Sequence, residues 1–406
     1  METSWQTGLR SSANSTRALV FLRWVESLVQ GQSLNIALPI LDPGCGHLPA
    51  DYLPGREVRR AIRCIGQTDH AFQAGSQEVH GPCRLRNILL SRFASEGVEV
   101  ELSQILLTGS STQALDLICR YAVSPGDVVL VDDPCGENLY ELLGAHHARI
   151  VSVPYTSNGP DTAAFQTVLI SAQPKLYITN TAVHDPTGAS LSAQTAHKIV
   201  SLASTHGVTI VENDVFADFE PRRSARLAAL DGLQGVVRIG SFSKTISATV
   251  RCGYVAARRD WIEGLAKLQA ATSVVGSSPL AAEIIASVLS GPFYGKYMSG
   301  LRDRLALERE AAVTRLAPFG IVPWLTPAGG FFLWCRLPDG YDARAIAAGC
   351  ADQGVALAPG TLFGNSKSAR SFLRFNVARL TDARIFDALE RSMELRCGRS
   401  SGAGGY

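Results

Sequence analysis

The chain has 406 residues, of which 46% are hydrophobic and 18% are charged, so it can form large cores and is not intrinsically disordered. Its formal net charge is only +2, which gives no electrostatic reason to expect nucleic acid or an anionic membrane as a partner. The sequence shows neither an apolar run of the ~18 residues that a membrane helix needs nor a secretory signal in residues 1–10. We therefore expect a cytoplasmic protein of roughly two or three domains that binds small molecules.

The N-terminal part predicts one helix followed by an irregular arm. Residues 15–30 carry apolar side chains at helical spacing behind Ser and Thr caps. Residues 39–55 are rich in Pro and Gly, and we expect them to wrap around another part of the molecule. The nine cysteines are scattered without a C-x-x-C pair, so we predict no disulfide framework and no metal site.

From about residue 56 to 275, short β-branched strands alternate with helical segments. The predicted strands are Gln104–Thr108, Val128–Asp132, Arg149–Val153, Lys175–Thr179, Thr209–Glu212, Val236–Gly240 and Gly253–Ala256. Such alternation is typical of crossover units and of a mostly parallel sheet that is buried on both faces. We therefore predict an α/β fold in which a three-layer domain contains the central sheet.

The C-terminal part predicts a smaller α+β domain. A charged amphipathic helix is expected at Phe293–Leu316, and the strands Gly330–Leu337 and Ser371–Asn376 flank a helix at Asp342–Gln353. The resulting division is an N-terminal helix and arm at 1–55, a large domain at 56–285, a small domain at 286–396 and a flexible tail at 397–406.

Chemically useful side chains follow several of the predicted strands. Gly109-Ser110-Ser111-Thr112 opens a helix after the first strand, where free N–H groups and hydroxyls suit a phosphate. Asp214, Lys244 and Arg251 follow later strands of the same sheet. Ligands of open parallel sheets bind beyond the carboxyl ends of the strands. A phosphorylated cofactor that a lysine holds as a Schiff base would use all of these groups, and pyridoxal phosphate is such a cofactor.

The chain resembles the class I/II aminotransferases among the fold-type-I pyridoxal phosphate enzymes, in the branch that includes the catalytic domain of MocR-type regulators. The resemblance covers about residues 34 to 395. Its motifs are TGSSTQALDL (108–117), SPGDVVLVDDP (124–134), DPTG (185–188), VENDVFADF (211–219), SFSK (241–244), RCGY (251–254), PAGGFFLW (327–334), APGTLFG (358–364) and FLRFNVA (372–378). Their order and spacing agree with the family.

The resemblance implies a role for each matching residue. Lys244 is the expected Schiff-base lysine and proton shuttle, Asp214 the partner of the pyridinium nitrogen, and Arg374 the bidentate clamp for the substrate α-carboxylate. The expected phosphate ligands are Ser110, Ser111, Thr112, Ser241, Ser243 and Arg251. The family also implies a homodimer with active sites at the subunit interface.

The chain departs from the family around the cofactor ring. Gly136 stands where the family usually has an aromatic residue stacked on the pyridine, and Asp185 and Phe216 replace the Asn and Tyr that donate hydrogen bonds to the cofactor O3′. His184 is an alternative polar contact beside Asp185. The tyrosine that crosses the dimer to the phosphate has no clear equivalent, and His70, Phe72 and Ser76 stand near its place.

These departures predict altered chemistry at the ring. Asp185 in its ionised form and Phe216 cannot donate a hydrogen bond to O3′, so we expect a raised pKa for the internal aldimine. The open space over the ring leaves room for a bulky second substrate. The resemblance implies that an L-α-amino acid, or a similar substrate such as S-adenosylmethionine, reacts through external aldimine and quinonoid intermediates in specialised metabolism. Plain amino transfer, β- or γ-elimination, γ-replacement and C–C bond-forming annulation remain alternatives.

Two other classes of protein fit the sequence less well. A MocR-like regulator would carry a basic winged-helix module before this domain, and the resemblance begins close to residue 34. A dinucleotide-dependent oxidoreductase would need a G-x-G-x-x-G turn after the first strand, where this sequence has TGSST. We therefore expect a pyridoxal phosphate enzyme.

Overall fold

The computed structural model of the protein describes residues 41–67, 79–272 and 276–400, with side chains as far as Glu394. The predicted helix at 15–30, the first two residues of the arm, and His70, Phe72 and Ser76 lie outside the described residues. The end of the tail, from residue 401, lies outside them as well.

The larger of two sheets contains eight strands. They are β1 (Ile105–Thr108), β2 (Val128–Asp133), β3 (Arg149–Thr156), β4 (Gly159–Pro160), β5 (Leu176–Thr179), β6 (Thr209–Asn213), β7 (Val236–Ser241) and β8 (Gly253–Ala256). Their spatial order is β1-β8-β7-β6-β5-β2-β3-β4. Five neighbouring strands, β7, β6, β5, β2 and β3, are parallel to one another, whereas β8 and β4 pair antiparallel. The predicted mostly parallel sheet is confirmed.

The smaller sheet contains four antiparallel strands in the order β11-β12-β10-β9. They are β9 (Val322–Pro323), β10 (Phe332–Arg336), β11 (Ala358–Pro359) and β12 (Phe372–Asn376). All nine strands predicted from the sequence are present, with ends that differ by at most three residues. β4, β9 and β11 were not predicted, because two-residue strands that contain proline carry no periodic signal.

Twelve α-helices accompany the strands in the described ranges. They are α1 (Gly55–Gly66), α2 (Cys83–Ala94), α3 (Ser111–Ala122), α4 (Leu139–Ala145), α5 (Thr162–Ala172), α6 (Ala193–Thr205), α7 (Leu227–Asp231), α8 (Arg259–Ala271), α9 (Pro279–Leu289), α10 (Phe293–Leu316), α11 (Ala343–Ala351) and α12 (Ala383–Ser400). The predicted helix at Phe293–Leu316 has the predicted ends. None of these helices combines the length and the apolar character that would let it cross a membrane.

The large sheet is buried on both faces, and successive residues of its strands alternate between two cores. Ile210 of β6 packs into a core that extends into the smaller sheet, whereas Val211 packs into a second core with α3 and α8. This alternation follows from the two-residue period of a strand. It also determines which polar side chains at the strand ends reach the cavity described below.

Candidate active site

A cavity of about 910 Å³, including its open mouth, lies at the carboxyl ends of the central parallel strands. Ligands of open α/β sheets bind at this edge. Eight of the residues predicted from the sequence line the cavity, namely Ser111, Thr112, Gly136, His184, Asp185, Phe216, Lys244 and Arg374. Five predicted residues do not line it, namely Ser110, Asp214, Ser241, Ser243 and Arg251.

The start of α3 forms one wall of the cavity. The Ser110 hydroxyl caps the helix and accepts a hydrogen bond from the Gln113 backbone N–H at 3.1 Å. Ser111 and Thr112, in the first turn, line the cavity. The positive end of the helix dipole, free backbone N–H groups and two hydroxyls together favour an anion here.

Two buried serines support this wall from behind. The Ser241 and Ser243 hydroxyls lie 2.9 Å apart, and the Ser241 hydroxyl donates to the Cys252 carbonyl at 3.2 Å. The next residue, Gly253, packs against the Ser110 backbone, where an added Cβ would lie 2.8 Å from the Ser110 carbonyl carbon. Ser110, Ser241 and Ser243 therefore hold the backbone of the wall in place, and their contact with a phosphate stays a prediction.

Arg251 is exposed and lies outside the cavity lining. Its backbone φ is +58°, in the left-handed region, and its guanidinium lies 3.5 Å from the Ala248 carbonyl. Its positive charge is nevertheless near enough to help lower the pKa of His47. The sequence motif alone supports Arg251 as a phosphate ligand, and that role stays a prediction.

Lys244 follows β7 and projects into the cavity. Its Nζ donates a 2.5 Å hydrogen bond to the Gly46 carbonyl and lies 5.8 Å from the centre of the Phe216 ring. Burial lowers the pKa of Lys244, and the Asp185 carboxylate partly opposes this shift. A lowered pKa increases the fraction of neutral amine, which is the nucleophilic form.

The Pro- and Gly-rich arm covers the cations of the site with backbone carbonyl groups. The Gly44 carbonyl accepts a hydrogen bond from Arg374 at 2.8 Å, and the Gly46 carbonyl accepts the one from Lys244. The carbonyls of Cys45 and His47 both accept from the Asn376 side-chain amide at 2.9 Å. The segment 42–47 is thus held to the site by polar contacts.

Arg374, on β12, is 1% exposed and lies between two aromatic rings. Its guanidinium carbon is 4.3 Å from the centre of the Phe332 ring and 4.5 Å from that of Phe363. It donates to Asp185 at 2.9 Å and lies 3.5 Å from the Glu137 carboxylate. Within the described residues, its Nε has no hydrogen-bond partner. This rigid guanidinium is suited to binding a carboxylate, although two carboxylates of the protein already lie beside it.

Gly136 leaves one side of the cavity open. A Cβ added at this position would have the Asp185 carboxylate, at 3.9 Å, as its nearest neighbour. A large side chain at position 136 would fill this space, so the glycine accounts for the room predicted from the sequence. The neighbouring Glu137 also lines the cavity and was not predicted as a site residue.

His184 is buried and stacks on Tyr155, with ring centres 3.7 Å apart. Its Nδ1 lies 2.9 Å from the Thr187 hydroxyl, and its Nε2 lies 3.4 Å from Asp132. These contacts fix the imidazole at the cavity edge. His184 is therefore available as a polar contact for a ligand, beside Asp185.

The end of β6 differs from the prediction. Asn213 lines the cavity, whereas Asp214 is buried on the other side and binds Arg226 at 3.0 Å and Arg238. Asn213 shares a side of the strand with Val211, and Asp214 shares the opposite side with Glu212. Asp214 was predicted because a carboxylate was expected at this strand end. The alternation along β6 indicates only that residues 213 and 214 lie on opposite sides, and the packing of the strand decides that Asn213 faces the cavity.

The sequence model for "Aminotransferase class I and II" matches residues 51–391. Among curated proteins, the chain is 27% identical over 330 residues to the HTH-type transcriptional regulator YdcR of Escherichia coli (strain K12), covering 80% of this chain and 70% of YdcR. It is 25% identical over 339 residues to the aromatic-amino-acid aminotransferase 1 of Thermococcus litoralis, covering 80% and 79% of the two chains.

Solved structures resemble the fold along most of the chain. The kynurenine aminotransferase of Pyrococcus horikoshii superposes with a TM-score of 0.80 at 22% identity and covers 97% of this chain and 99% of its own. An archaeal alanine:glyoxylate aminotransferase superposes with a TM-score of 0.82 at 20% identity, with 97% and 98% covered.

Proposed function

Because the chain belongs to the class I and II aminotransferase family and is a pyridoxal 5′-phosphate-dependent transferase, we propose that it acts on an L-α-amino acid with a positively charged side chain. The observation that carries this proposal is the arrangement of Lys244, Arg374 and two carboxylates in one cavity. S-adenosylmethionine, whose sulfonium is a fixed positive charge, is a representative substrate.

The cavity fits the cofactor at both ends. The hydroxyls of Ser111 and Thr112 and the start of α3 would hold its phosphate, and the buried Lys244 would hold it covalently. When bound, the cofactor supplies an electrophilic carbon and a ring that accepts electrons. The Arg374 Nε, which has no partner in the described part of the chain, fits a site completed by a ligand.

Lys244 would have two tasks. Its lowered pKa favours the neutral amine that captures the cofactor. Once the substrate amine displaces it, the freed Nζ can take the proton from the substrate α-carbon. The carbonyl of the arm residue Gly46 accepts the Nζ hydrogen bond. It would therefore hold the freed Lys244 amine in the cavity, close to the substrate α-carbon.

Arg374 would bind the substrate α-carboxylate, and the two carboxylates beside it set the charge preference. Asp185 is 2.9 Å and Glu137 is 3.5 Å from the guanidinium. Asp185 and Glu137 therefore place negative charge beside a substrate α-carboxylate bound to Arg374. A cationic substrate side chain would then offset the negative charge, whereas an anionic one would be repelled. Gly136 leaves space for this side chain.

The cofactor linkage is tested by borohydride reduction of the protein after incubation with pyridoxal 5′-phosphate. We expect peptide mass spectrometry to find the reduced cofactor on Lys244 and Lys244→Ala to remain colourless. Lys267→Ala, on α8, is the matched control and should still take up the cofactor. A wild-type protein with an unmodified Lys244 after reduction would contradict the proposal.

The charge preference is tested by spectral titration of the holoenzyme with amino acids whose side chains are cationic, neutral or anionic. We expect the cationic probe to bind at least about tenfold more tightly than the anionic one, equivalent to ~1.4 kcal/mol. Glu137→Gln should reduce this ratio, whereas Glu141→Gln, at an exposed position of α4, should leave it unchanged. Equal binding of the three probes, or no effect of Glu137→Gln, would refute the preference.

We further propose a homodimer, as the family membership implies. Light scattering of the purified protein should give twice the chain mass of 43.4 kDa. A monomer mass at micromolar concentration would contradict this.

A further inference from the structure

The two residues at the end of β6 have opposite environments although they are adjacent. Asn213 is the last strand residue and lines the cavity, and its Oδ1 is shielded from solvent. No group in the described ranges makes a hydrogen bond to this oxygen. A buried polar atom without a partner, at the edge of a cavity, indicates a contact that a ligand completes.

Asn180 and Asp132, the polar side chains at the ends of the neighbouring strands β5 and β2, already have hydrogen-bond partners, whereas the buried His184 Nε2 also has none within the described residues. Asn180 donates to the Asn213 backbone carbonyl at 2.7 Å, and its Oδ1 accepts from the Asp185 N–H at 2.8 Å. Asp132 accepts hydrogen bonds from Tyr177 at 2.6 Å and Thr179 at 2.7 Å. Asn213 is therefore the polar side chain of β6 that remains available to the cofactor.

Asp214, in contrast, is committed to the fold. Its side chain is fully buried, and its Oδ2 binds both Arg226 and Arg238. Its Oδ1 has no hydrogen-bond partner within the described residues either, but, unlike Asn213, Asp214 does not line the cavity. Arg226 also binds Glu220 at 2.7 Å, and Arg238 also binds Glu96. Turning Asp214 toward the cavity would leave two buried guanidinium groups without this partner and would therefore strongly destabilise the fold.

We propose that the neutral carboxamide of Asn213, and not a carboxylate, faces the pyridine nitrogen of the bound cofactor. This inference rests on the proposed function. A carboxylate stabilises a protonated ring nitrogen by its charge, whereas the Asn213 carboxamide carries no charge to do so. Turned so that its NH2 group and not its oxygen points to the ring, the same side chain donates a hydrogen bond to an unprotonated nitrogen. The ring nitrogen is then unprotonated in the resting enzyme.

An unprotonated ring nitrogen makes the cofactor a weaker electron acceptor. When the substrate α-carbon loses its proton, less of the resulting negative charge would spread into the ring. More of that charge would then stay on the α-carbon. This disfavours amino transfer, which requires a proton to be added on the cofactor side. It favours reactions that are completed on the substrate itself, such as loss or replacement of a side-chain group. Asn213 thus acts as a specificity-determining residue for the type of reaction.

The test is ¹⁵N NMR of the enzyme reconstituted with cofactor that is ¹⁵N-labelled in the ring. We expect the wild-type signal in the range of an unprotonated pyridine. Asn213→Asp should move it to the range of a pyridinium, because the new carboxylate stabilises the proton. Asp214→Asn should leave the signal where the wild type has it, while lowering the melting temperature.

The wild-type spectrum alone decides the proposal if Asp214→Asn does not fold. A pyridinium signal in the wild type would overturn the inference, as would an Asn213→Asp signal that does not move. A failure of the proposed function would look different. In that case the labelled cofactor would give no protein-bound NMR signal, and borohydride would leave Lys244 unmodified.

Discussion

The two sides of the sheet at the end of β6 use charge in different ways. On one side lies a buried ion-pair cluster that consists of Asp214, Arg226, Arg238, Glu96 and Glu220. On the other side lies the cavity, where Lys244 donates a hydrogen bond to the Gly46 backbone carbonyl and the Nε of Arg374 has no partner within the described residues.

A charged residue at a strand end is therefore not in itself evidence of a catalytic role. In the ion-pair cluster, every charged side chain is paired with at least one opposite charge, although Asp214 Oδ1 and the Nε and Nη1 of Arg238 lack hydrogen-bond partners within the described residues. The cluster lies outside the cavity lining and is therefore structural. In the cavity, Asn213 Oδ1, Arg374 Nε and His184 Nε2 lack hydrogen-bond partners within the described residues, and a ligand can reach the cavity to supply them. The difference predicts that substitutions on the first side lower stability, whereas those on the second change ligand binding.

The largest expected effect comes from breaking the ion-pair cluster. Arg238→Ala would leave Asp214 and Glu96 without their shared guanidinium, and removing one partner of a buried pair costs about 3–5 kcal/mol. Urea denaturation should show this loss in the free energy of unfolding. Arg258→Ala, whose pair with Asp260 is exposed, should cost at most about 1 kcal/mol. Similar losses in both variants would contradict the comparison.

A smaller effect is expected where the fold supports the cavity wall. Gly253→Ala would place a Cβ 2.8 Å from the Gly240 carbonyl oxygen and the Ser110 backbone. Overpacking of this kind costs about 1–3 kcal/mol, and displacement of the wall should also weaken cofactor binding. Fluorescence titration with pyridoxal 5′-phosphate measures the second effect. Gly66→Ala, where an added Cβ meets no atom within 4 Å, is the control and should bind normally.

Asn213→Ala should distinguish the cavity side of β6 from the ion-pair side, because it should change cofactor binding and not the stability of the cofactor-free protein. Because the Asn213 oxygen makes no hydrogen bond to the described part of the protein, the free energy of unfolding without cofactor should change by no more than about 1 kcal/mol. The stabilisation by added cofactor should decrease, and melting curves with and without pyridoxal 5′-phosphate measure both quantities. Strong destabilisation of the cofactor-free variant would place Asn213 with the structural residues instead.

The smallest effect concerns pH. Burial of the imidazole and the nearby positive charges of Lys244, Arg379, Arg374 and Arg251 lower the pKa of His47 to about 4, from an ordinary value of 6.5. Between these two values the unfolded chain binds a proton that the folded protein does not, so stability falls as the pH decreases from 6.5 to 4.

His47→Gln should remove this contribution, so the difference between variant and wild type in the free energy of unfolding should change across that pH range. The effect should be small, because the side chain is partly exposed to solvent and its interactions are screened. A pH-independent difference for His47→Gln would show that its pKa is not lowered.

The sequence by itself determined nine of the twelve described strands, the helices at Phe293–Leu316 and Ala343–Ala351 and the family, and it indicated Lys244 as the candidate Schiff-base lysine, because strand and helix periods and short motifs are local properties of the chain. Only the tertiary structure placed Asn213 in the cavity and Asp214 in the ion-pair cluster, since the distinction depends on which side of β6 meets which neighbours. It also brought the arm and Glu137 to Arg374, across separations of 330 and 237 residues. Contacts between such distant segments arise from packing, and no local pattern in the chain encodes them.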